Sequence, residues 1–552
     1  MRRRSPILVL APVLLLAAAS ITVAALWPAP ATGEPAALEA PRFVEESAAA
    51  GLRHAYDGEF TFFVGGGVAT LDCDENGFPD LYLAGGSRPA ALFRNTSEVG
   101  AELRFERLPS AQTDLRRVIG AYPLDVDGDG HTDLAVLRIG ENVLLRGRGD
   151  CRFERGNEAW GLDGGAAWTT AFSAAWEAPD AMPTLAFGNY LTLASVEART
   201  YRCDEGALVR PAAGGRTYAA PMPLTPGWCP LSMLFSDWDR SGRRDLRASN
   251  DRHYNRDGIE QLWRMVPGDA PRAWTAEDGW QPMRLFGMGI ASRDLTGDGY
   301  PEVYLTNQAD NKLQTLAAGP GRPEFRDIAI ERRVTVHHPF AGGDRLPSTA
   351  WHAQFDDVNN DGYVDLFVAK GNVEAQSEYA MRDPSNLLIG QADGTFTEGA
   401  ANAGILGYRR ARGAALADLN LDGRLDLVVV NRRENVSLWR NLGVPDTAGR
   451  AAGHWLAVWP VQPGNNRDAI GAWVEVRAGD RSWLVERTVG GGHVSGQLGP
   501  VHVGLGGAVA VEVRITWPDG EVGAWQPVPA DGWVVIDRQA GVRRWAPGER
   551  AP

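Results

Sequence analysis

Hydrophobic residues in this chain occur mainly in short runs, and polar turns rich in aspartate and glycine separate many of them. Residues 81–83 and 134–137 have the length of single β-strands, and no long helical pattern follows the first 30 residues. The 65 glycines and 35 prolines suit many short strands joined by turns. The pattern therefore predicts an all-β protein, and 552 residues are enough for two or three domains.

The longest apolar run lies near the N-terminus and predicts a targeting segment. It extends from about residue 6 to residue 27, behind Arg2, Arg3 and Arg4, and is long enough to span a bilayer. Residues 29–31 also offer a small-x-small cleavage site. We therefore expect residues 1–31 to be a signal peptide or an N-terminal membrane anchor, with a membrane tether through residues 6–27 if uncleaved. Residues 32–41 would be a linker, and the protein would be exported: periplasmic, on the cell surface or secreted.

An acidic motif, Asp-x-Asp-x-Asp-Gly-x-x-Asp, recurs before the predicted strands, most clearly at residues 125–133. A decayed copy at residues 176–185 keeps the frame but has lost most of the acidic side chains. With this copy, seven repeats start about 58 residues apart, a fitting length for a four-stranded propeller blade. In the other six copies, positions 1, 3, 5 and 9 are Asp72, Asp74, Asn76 and Asp80; Asp125, Asp127, Asp129 and Asp133; Asp237, Asp239, Ser241 and Asp245; Asp294, Thr296, Asp298 and Glu302; Asp357, Asn359, Asp361 and Asp365; and Asp418, Asn420, Asp422 and Asp426.

The chemistry of this motif suits Ca²⁺, which takes six to eight hard oxygen ligands. Side chains at positions 1, 3, 5 and 9 can converge on one ion if the glycine at position 6 lets the backbone curl. An EF-hand is excluded because position 12 is apolar, as at Leu83 and Val136, where that loop needs glutamate. We therefore predict about five or six Ca²⁺ ions as cofactors. The occupancy of the loop at 237, where two arginines follow Ser241, is left open, and any single loop could instead be an ordinary Asp-Gly turn.

The segments around these loops resemble known repeats. The segments before four loops, residues 65–69, 286–291, 348–351 and 412–415, resemble FG-GAP (VCBS-type) repeats. Residues 92–95, 386–389 and 438–441 resemble the third strand of such blades. Motifs at 453–456, 466–472, 490–492, 502–506 and 517–520 resemble, in order and spacing, an ASPIC/UnbV domain. The chain is thus similar to integrin α-like propellers and to bacterial relatives of cartilage acidic protein. The resemblance implies a seven-bladed β-propeller over residues 42–445, followed by a small β-sandwich-like, ASPIC/UnbV-like domain over residues 446–545.

The ends of the predicted propeller suggest how it closes. The seventh repeat stops near residue 443 without a fourth-strand segment, while residues 42–47 match the fourth strand of the sixth repeat at 395–398. A ring with an unpaired first or last strand would expose an edge. We therefore expect residues 42–47 to form the outer strand of the seventh blade.

The four cysteines suit an oxidising compartment. Cys203 and Cys229 could close a loop of moderate length, whereas Cys73 and Cys151 are less obvious partners. No Cys-x-x-Cys is present, so a thiol redox centre or a zinc ribbon has no support.

Candidate chemistry outside the loops is sparse. His337, His338 and His352 could bind a transition metal or could simply line a loop beside Trp351. Asp251, His253 and Asp257 could form an acid/base group, although a solvated loop is the favoured interpretation.

In the C-terminal part, Arg467 and Asp468 are expected to pair in a turn, a ligand role being the alternative. The many tryptophans of this part are expected to fill a small β core, with a sugar-binding face as the alternative. They are Trp455, Trp459, Trp473, Trp483, Trp517, Trp525 and Trp533.

These observations favour binding over catalysis. The net charge of −14 argues against a nucleic-acid partner, and no nucleophile-elbow, zinc-protease or Walker motif occurs. We expect a binding or scaffold module for an extracytoplasmic protein or glycan. The alternatives are an envelope enzyme or metal-redox accessory protein that uses the histidines or the propeller funnel, and a structural envelope protein anchored by an uncleaved helix.

Overall fold

The computed structural model describes residues 39–374, 376–445 and 453–552. The predicted targeting segment, 1–31, and most of the predicted linker lie outside the described residues. Nearly all regular structure is β-strand, with a 3₁₀ turn at Phe60–Phe62 and short helices α1 (Leu193–Glu197), α2 (Ala329–Arg332) and α3 (Ala400–Ala403). Within the described part of the chain, no helix has the length and apolar character needed to cross a membrane.

Residues 43–441 form a series of antiparallel meanders, each built from consecutive strands as short apolar runs between turns predict. The strands are β1 (Phe43–Glu45); β2 (Val68–Leu71), β3 (Asp80–Leu83), β4 (Ala91–Asn95) and β5 (Phe105–Arg107); β6 (Val118–Leu124), β7 (Asp133–Gly140), β8 (Val143–Gly147) and β9 (Phe153–Arg155); β10 (Ala167–Ala175), β11 (Thr184–Asn189), β12 (Gly206–Val209) and β13 (Met222–Leu224); β14 (Pro230–Ser236), β15 (Asp245–Asn250), β16 (Gln261–Arg264) and β17 (Arg272–Ala273); β18 (Ile290–Arg293), β19 (Glu302–Leu305), β20 (Lys312–Leu316) and β21 (Phe325–Asp327); β22 (Ala350–Asp356), β23 (Asp365–Lys370), β24 (Asn386–Gly390) and β25 (Phe396–Glu398); β26 (Ala411–Ala417), β27 (Asp426–Asn431) and β28 (Ser437–Asn441).

The first strands of the meanders form a ring. Taken in order, β2, β6, β10, β14, β18, β22 and β26 each contact the next, and β26 returns to contact β2. This arrangement is a β-propeller, as the sequence predicts. The count of seven blades stays a prediction, because β7 also pairs with β10 and joins two neighbouring meanders into one hydrogen-bonded sheet.

The N-terminal strand closes the ring as expected. Strand β1 pairs antiparallel with β28, with Phe43 opposite Asn441 and Glu45 opposite Trp439. Glu46 reinforces the closure, since its carboxylate lies 2.8 Å from the Arg440 guanidinium and accepts the Leu103 amide. The last meander is therefore completed by the segment that precedes the first.

The decayed repeat also forms a meander. Strands β10 and β11 flank residues 176–183, and the unusual insert that follows supplies β12 and β13 as its outer strands. The Cys203–Cys229 disulfide predicted from the sequence is present. Cys73 and Cys151 are also bonded to each other, so the expectation that they are less obvious partners was wrong. Their bond joins the loop after β2 to the hairpin between β8 and β9, a contact between neighbouring meanders that sequence separation conceals.

The C-terminal part is a two-layered β-sandwich, as predicted. Its two sheets enclose an apolar core that includes Leu456, Val474, Val513 and Val534. The sheets have the strand orders β33-β29-β36-β37 and β31-β30-β34-β35. Their strands are β29 (His454–Val461), β30 (Trp473–Ala478), β31 (Arg481–Glu486), β33 (Val501–Gly506), β34 (Ala510–Thr516), β35 (Gln526–Pro529), β36 (Gly532–Asp537) and β37 (Gly541–Trp545). The short strand β32 (Gly496–Gln497) lies between β31 and β33 in the chain and pairs with the propeller strand β2.

Candidate metal loops

The six acidic loops occupy equivalent places in the propeller. Each connects the first and second strands of its meander, and each position-9 carboxylate is the first residue of the second strand. These residues are Asp80, Asp133, Asp245, Glu302, Asp365 and Asp426. One end of the ring therefore carries all six loops.

The loops curl in the way that the motif predicts. The glycine at position 6 has a positive φ in every copy, +88° at Gly77 and +81° at Gly130, which a side chain would strain. Its amide donates to the position-1 carboxylate, at 2.7 Å from Gly77 to Asp72 and 2.9 Å from Gly130 to Asp125. The same hydrogen bond forms in the loops that begin at 237, 294, 357 and 418.

Backbone amides hold the position-9 carboxylate in place. Asp80 accepts the amide of Cys73, at position 2, at 2.8 Å and the amide of Asn95, on the third strand, at 2.7 Å. Asp133, Asp365 and Asp426 accept the equivalent amides. This carboxylate thus fixes the loop to its sheet whether or not it also binds an ion.

The donor set fits a hard divalent cation. Carboxylate oxygens of Asp72, Asp74 and Asp80 lie within 4.8 Å of one another, as do those of Asp125, Asp127 and Asp133. At position 3, three buried oxygens have no hydrogen-bond partner among the described residues: Asp74 Oδ1, Asp127 Oδ1 and Asn420 Oδ1. An unsatisfied buried oxygen is costly, and a bound cation would satisfy it.

The electrostatics of the loops point the same way. Burial raises the pKa of Asp72, Asp125 and Asp418 to about 7, and the Asp468 carboxylate contributes further at Asp125. Ionised together, these carboxylates repel one another in a poorly solvated site. A cation would favour their ionised forms, so its binding would release protons.

The loop at 237 differs from the others. The Arg243 Nε lies 2.8 Å from Asp245, and its guanidinium is 4.0 Å from Asp239. The indoles of Trp238 and Trp274 also donate to Asp245. Arginines also face ligands of other loops, since Arg146 lies 2.7 Å from Asp127 and 3.0 Å from Asp129. The loop at 237 differs because its position-9 carboxylate is itself paired with an arginine.

In the loop at 294, position 3 is a threonine, so three of the four predicted ligands are carboxylates. Thr296 donates its hydroxyl to Glu302 at 3.3 Å, and Thr315 donates to the same oxygen at 2.7 Å. In the loop at 357, Asn359 donates its amide to Asp361 at 3.1 Å, and Asp361 accepts the Tyr363 amide at 2.8 Å.

The three histidines do not form a metal site within the described chain. His337 contacts Asp310 at 2.6 Å, and His338 contacts the Leu346 carbonyl. His352 is buried on β22, and burial lowers its pKa to about 4, so it is neutral at pH 7. Asp251 pairs with the Tyr190 hydroxyl instead of with the His253 ring, which leaves the predicted acid/base group unassembled.

The C-terminal sandwich lies directly on the acidic loops. A Cβ built on the position-6 glycine would stand 2.3 Å from the Trp545 ring at Gly77, 1.9 Å from the Arg467 guanidinium at Gly130 and 2.0 Å from the Trp455 ring at Gly423. At Gly362 the Arg481 guanidinium is equally close, at 2.8 Å, and the Trp483 indole donates to the Gly362 carbonyl. Four of the six glycines thus serve both the curl of the loop and the docking of the sandwich.

These contacts correct two expectations about the sandwich. Trp483 and Trp517 do belong to its own core, but Trp459, Trp533 and Trp545 cluster with Leu421 and Phe78, which belong to two acidic loops of the propeller. Asp468 lies 4.0 Å from Arg487 instead of pairing with Arg467, which reaches the loop at 125. The sequence signal for this interface was the concentration of tryptophans, which we had assigned to the core of the sandwich.

A glycine-rich segment of the sandwich enters the middle of the ring. Residues 489–497, here called the plug, contact the first strand of every meander. Ser495 bridges to Ala121, Val489 to Ala174, Gly490 to Leu234 and Gly492 to Ile290. The remaining three strands are reached by β32 pairing with β2, by the His493 amide donating to His352 at 3.1 Å, and by Ser495 packing on Gly413.

Comparisons with known proteins agree with this architecture. Residues 357–429 match the FG-GAP-like repeat family and residues 462–543 match the ASPIC and UnbV family. Cartilage acidic protein 1 of Mus musculus is 30% identical over 159 residues, covering 26% of this chain and 21% of that protein. The Xenopus tropicalis protein is 26% identical over 255 residues, covering 43% of this chain and 34% of that protein.

The matches thus span about a fifth to a third of the length of these curated relatives. Among solved structures, the Dos1 propeller is 10% identical with a TM-score of 0.35, covering 74% of this chain and 95% of that one. Part of the propeller is thus similar to FG-GAP-like repeats, and the matched part of the sandwich is similar to the ASPIC and UnbV family.

Proposed function

We propose that this protein is an exported, calcium-binding β-propeller that acts as a binding or scaffold module for an extracytoplasmic protein or glycan. The FG-GAP propeller fold suggests a binding or scaffold module. The observation that carries the calcium proposal is the set of buried position-3 oxygens without a partner, repeated in three loops of one geometry.

Calcium would have a structural purpose here. The position-1, position-3, position-5 and position-9 side chains of each loop would bind one ion, and the sandwich lies on the loops so formed. A cation in a loop would offset the repulsion between its carboxylates and hold the surface on which the sandwich docks. We propose about five or six ions, with the loop at 237 the weakest because Arg243 and two indoles already bind its position-9 carboxylate.

Two further observations support export. Two disulfides, Cys73–Cys151 and Cys203–Cys229, connect segments of the propeller. Disulfides form and persist in oxidising compartments. The basic and apolar N-terminal segment has the pattern of a signal peptide or an anchor.

The test of the calcium proposal is the number of ions bound by the purified protein and by one loop variant. We expect equilibrium dialysis with radioactive calcium to give about five or six ions per chain, and one fewer for Asp127→Ala. Asp257→Ala removes an exposed carboxylate outside the loops and is the matched control, expected to keep the full number. An unchanged count in Asp127→Ala, or no bound calcium in the parent protein, would contradict the proposal.

A further inference from the structure

A basic cavity lies beside the one part of the ring where the acidic motif departs from its pattern. The cavity has a volume of about 840 Å³ and is bounded by the decayed loop at 176, the loop at 237 and the turn at residues 516–520 of the sandwich. Ligand pockets typically have volumes of about 300–1,000 Å³, so this one can hold a small molecule.

Positive charge dominates the wall of this cavity, although the whole chain has a net charge of −14. Three carboxylates line it, and each has a partner: Glu177 lies 2.8 Å from Arg210, Asp519 pairs with Arg538 at 2.6 Å, and Asp237 accepts the Gly242 amide. The arginines of the wall are Arg240, Arg243, Arg244, Arg264 and Arg538.

Two of these arginines are free to bind a ligand. In the parts of the chain that the structure describes, no carboxylate lies within 4.0 Å of Arg240 or Arg264, and neither side chain donates a hydrogen bond to the protein. The Arg240 guanidinium lies 4.4 Å above the Trp473 ring, a contact that orients it without using its N–H groups. The Nε of Arg244 is also buried without a partner.

The sandwich leaves room at this point of the interface. At four other loops a side chain of the sandwich covers the position-6 glycine, but nothing lies within 4 Å of a Cβ built on Gly242. The decayed loop has lost most of its acidic side chains, and the loop at 237 has Arg243 and Arg244 directly after its glycine. The cavity therefore lies where the ring carries the decayed copy of the acidic motif and the copy that is followed by two arginines.

We propose that this cavity binds a small ligand carrying an oxyanion group, such as a phosphate or sulfate ester, through Arg240 and Arg264. Guanidinium groups bind such oxyanions with paired, charge-assisted hydrogen bonds. The inference names a ligand class for the binding module and rests on the proposed function only for its biological role, since the cavity does not require calcium.

The test uses isothermal titration of the purified protein, kept in saturating calcium, with glucose 6-phosphate, glucose 6-sulfate and glucose. We expect at least one of the two esters to bind and glucose not to bind, and we expect Arg240→Gln/Arg264→Gln to weaken the binding by about tenfold or more. The matched control is Arg256→Gln/Arg345→Gln, which removes the same charge from exposed arginines outside the cavity.

Retained affinity in the control, together with loss in the cavity variant, supports the site. No binding of either ester, equal binding of glucose, or equal losses in both double variants overturns it. If the double variant unfolds, Arg264→Gln alone decides, because that side chain is exposed and contributes no hydrogen bond to the fold. Calcium content measured on the same samples separates this result from the calcium proposal.

Discussion

At the scale of the residue, the acidic loops combine two demands on the same side chains. The position-9 carboxylate fixes the loop to the sheet through backbone amides, as Asp80 does with Cys73 and Asn95. The position-3 oxygens, such as Asp127 Oδ1, are buried without a partner. The motif predicts both, because its spacing and its glycine determine the curl locally. The motif does not predict that Arg243 pairs with Asp245. A carboxylate at position 9 can be neutralised by a metal ion or by a guanidinium, and the spacing of the motif is the same in both cases.

The raised carboxylate pKa values predict an unusual pH dependence. In chelator, Asp72, Asp125 and Asp418 take up protons near pH 7 when folded but near pH 4 when unfolded, so the folded state binds more protons between these values. Stability in chelator should therefore fall as the pH rises from about 4 to about 7, and saturating calcium should remove this fall. Thermal melts at pH 5 and pH 7.5 check it; equal calcium effects at both pH values would contradict it.

At the scale of the element, the sequence predicts strands and loops well because both are encoded locally. The strands after Asp80 and Asp133 begin where the motif ends, and β1 pairs with β28 as the matching fourth-strand segments indicate. The bond between Cys73 and Cys151 was not predictable from spacing, since 78 residues separate the two and they belong to neighbouring meanders. Contacts of this kind depend on the closed ring and not on either segment.

The closure by β1 predicts a large effect of a short deletion. Removing residues 41–52 exposes the edge of β28 and removes the buried side chains of Phe43 and Leu52 from the core. Loss of these buried groups should cost several kcal/mol, on the order of 2–5, and lower the melting temperature by about 5 °C or more. Deleting only residues 1–38, which precede β1, is the control and should leave the melt of the propeller unchanged.

At the scale of the whole molecule, the propeller and the sandwich form one assembly. The sandwich covers acidic loops with Trp455, Arg467 and Trp545, and its plug contacts every inner strand. This assembly is not predictable from the sequence, because the contacting segments lie hundreds of residues apart. The three glycines at 490–492 are typical of a segment that another backbone approaches closely, but they do not indicate which segment that is. A consequence is that the funnel considered for a metal-redox protein is filled by the chain itself.

The close fit of the plug inside the ring predicts that even a methyl group added to a strand facing the plug will destabilise the protein. A Cβ on Gly120 would lie 2.1 Å from the Val494 carbonyl oxygen, so Gly120→Ala must displace the plug or β6. We expect a loss of about 1–3 kcal/mol and faster proteolysis between the propeller and the sandwich. Gly499→Ala, with nothing within 4 Å of the added carbon, is the matched control. Equal stability and proteolysis of the two variants would show that the plug does not occupy this position in solution.

The calcium-stabilised ring is the central claim, and thermal unfolding tests it most directly. The purified protein would be melted at pH 7.5 with a chelator, with saturating calcium, and with magnesium at the same concentration. An ion that binds only the folded state stabilises it by about 2.7 kcal/mol at one hundred times its dissociation constant, so calcium should raise the melting temperature by at least about 5 °C. Magnesium, which prefers a smaller octahedral shell, should have less effect. Superimposable melts in chelator and in calcium would contradict the account.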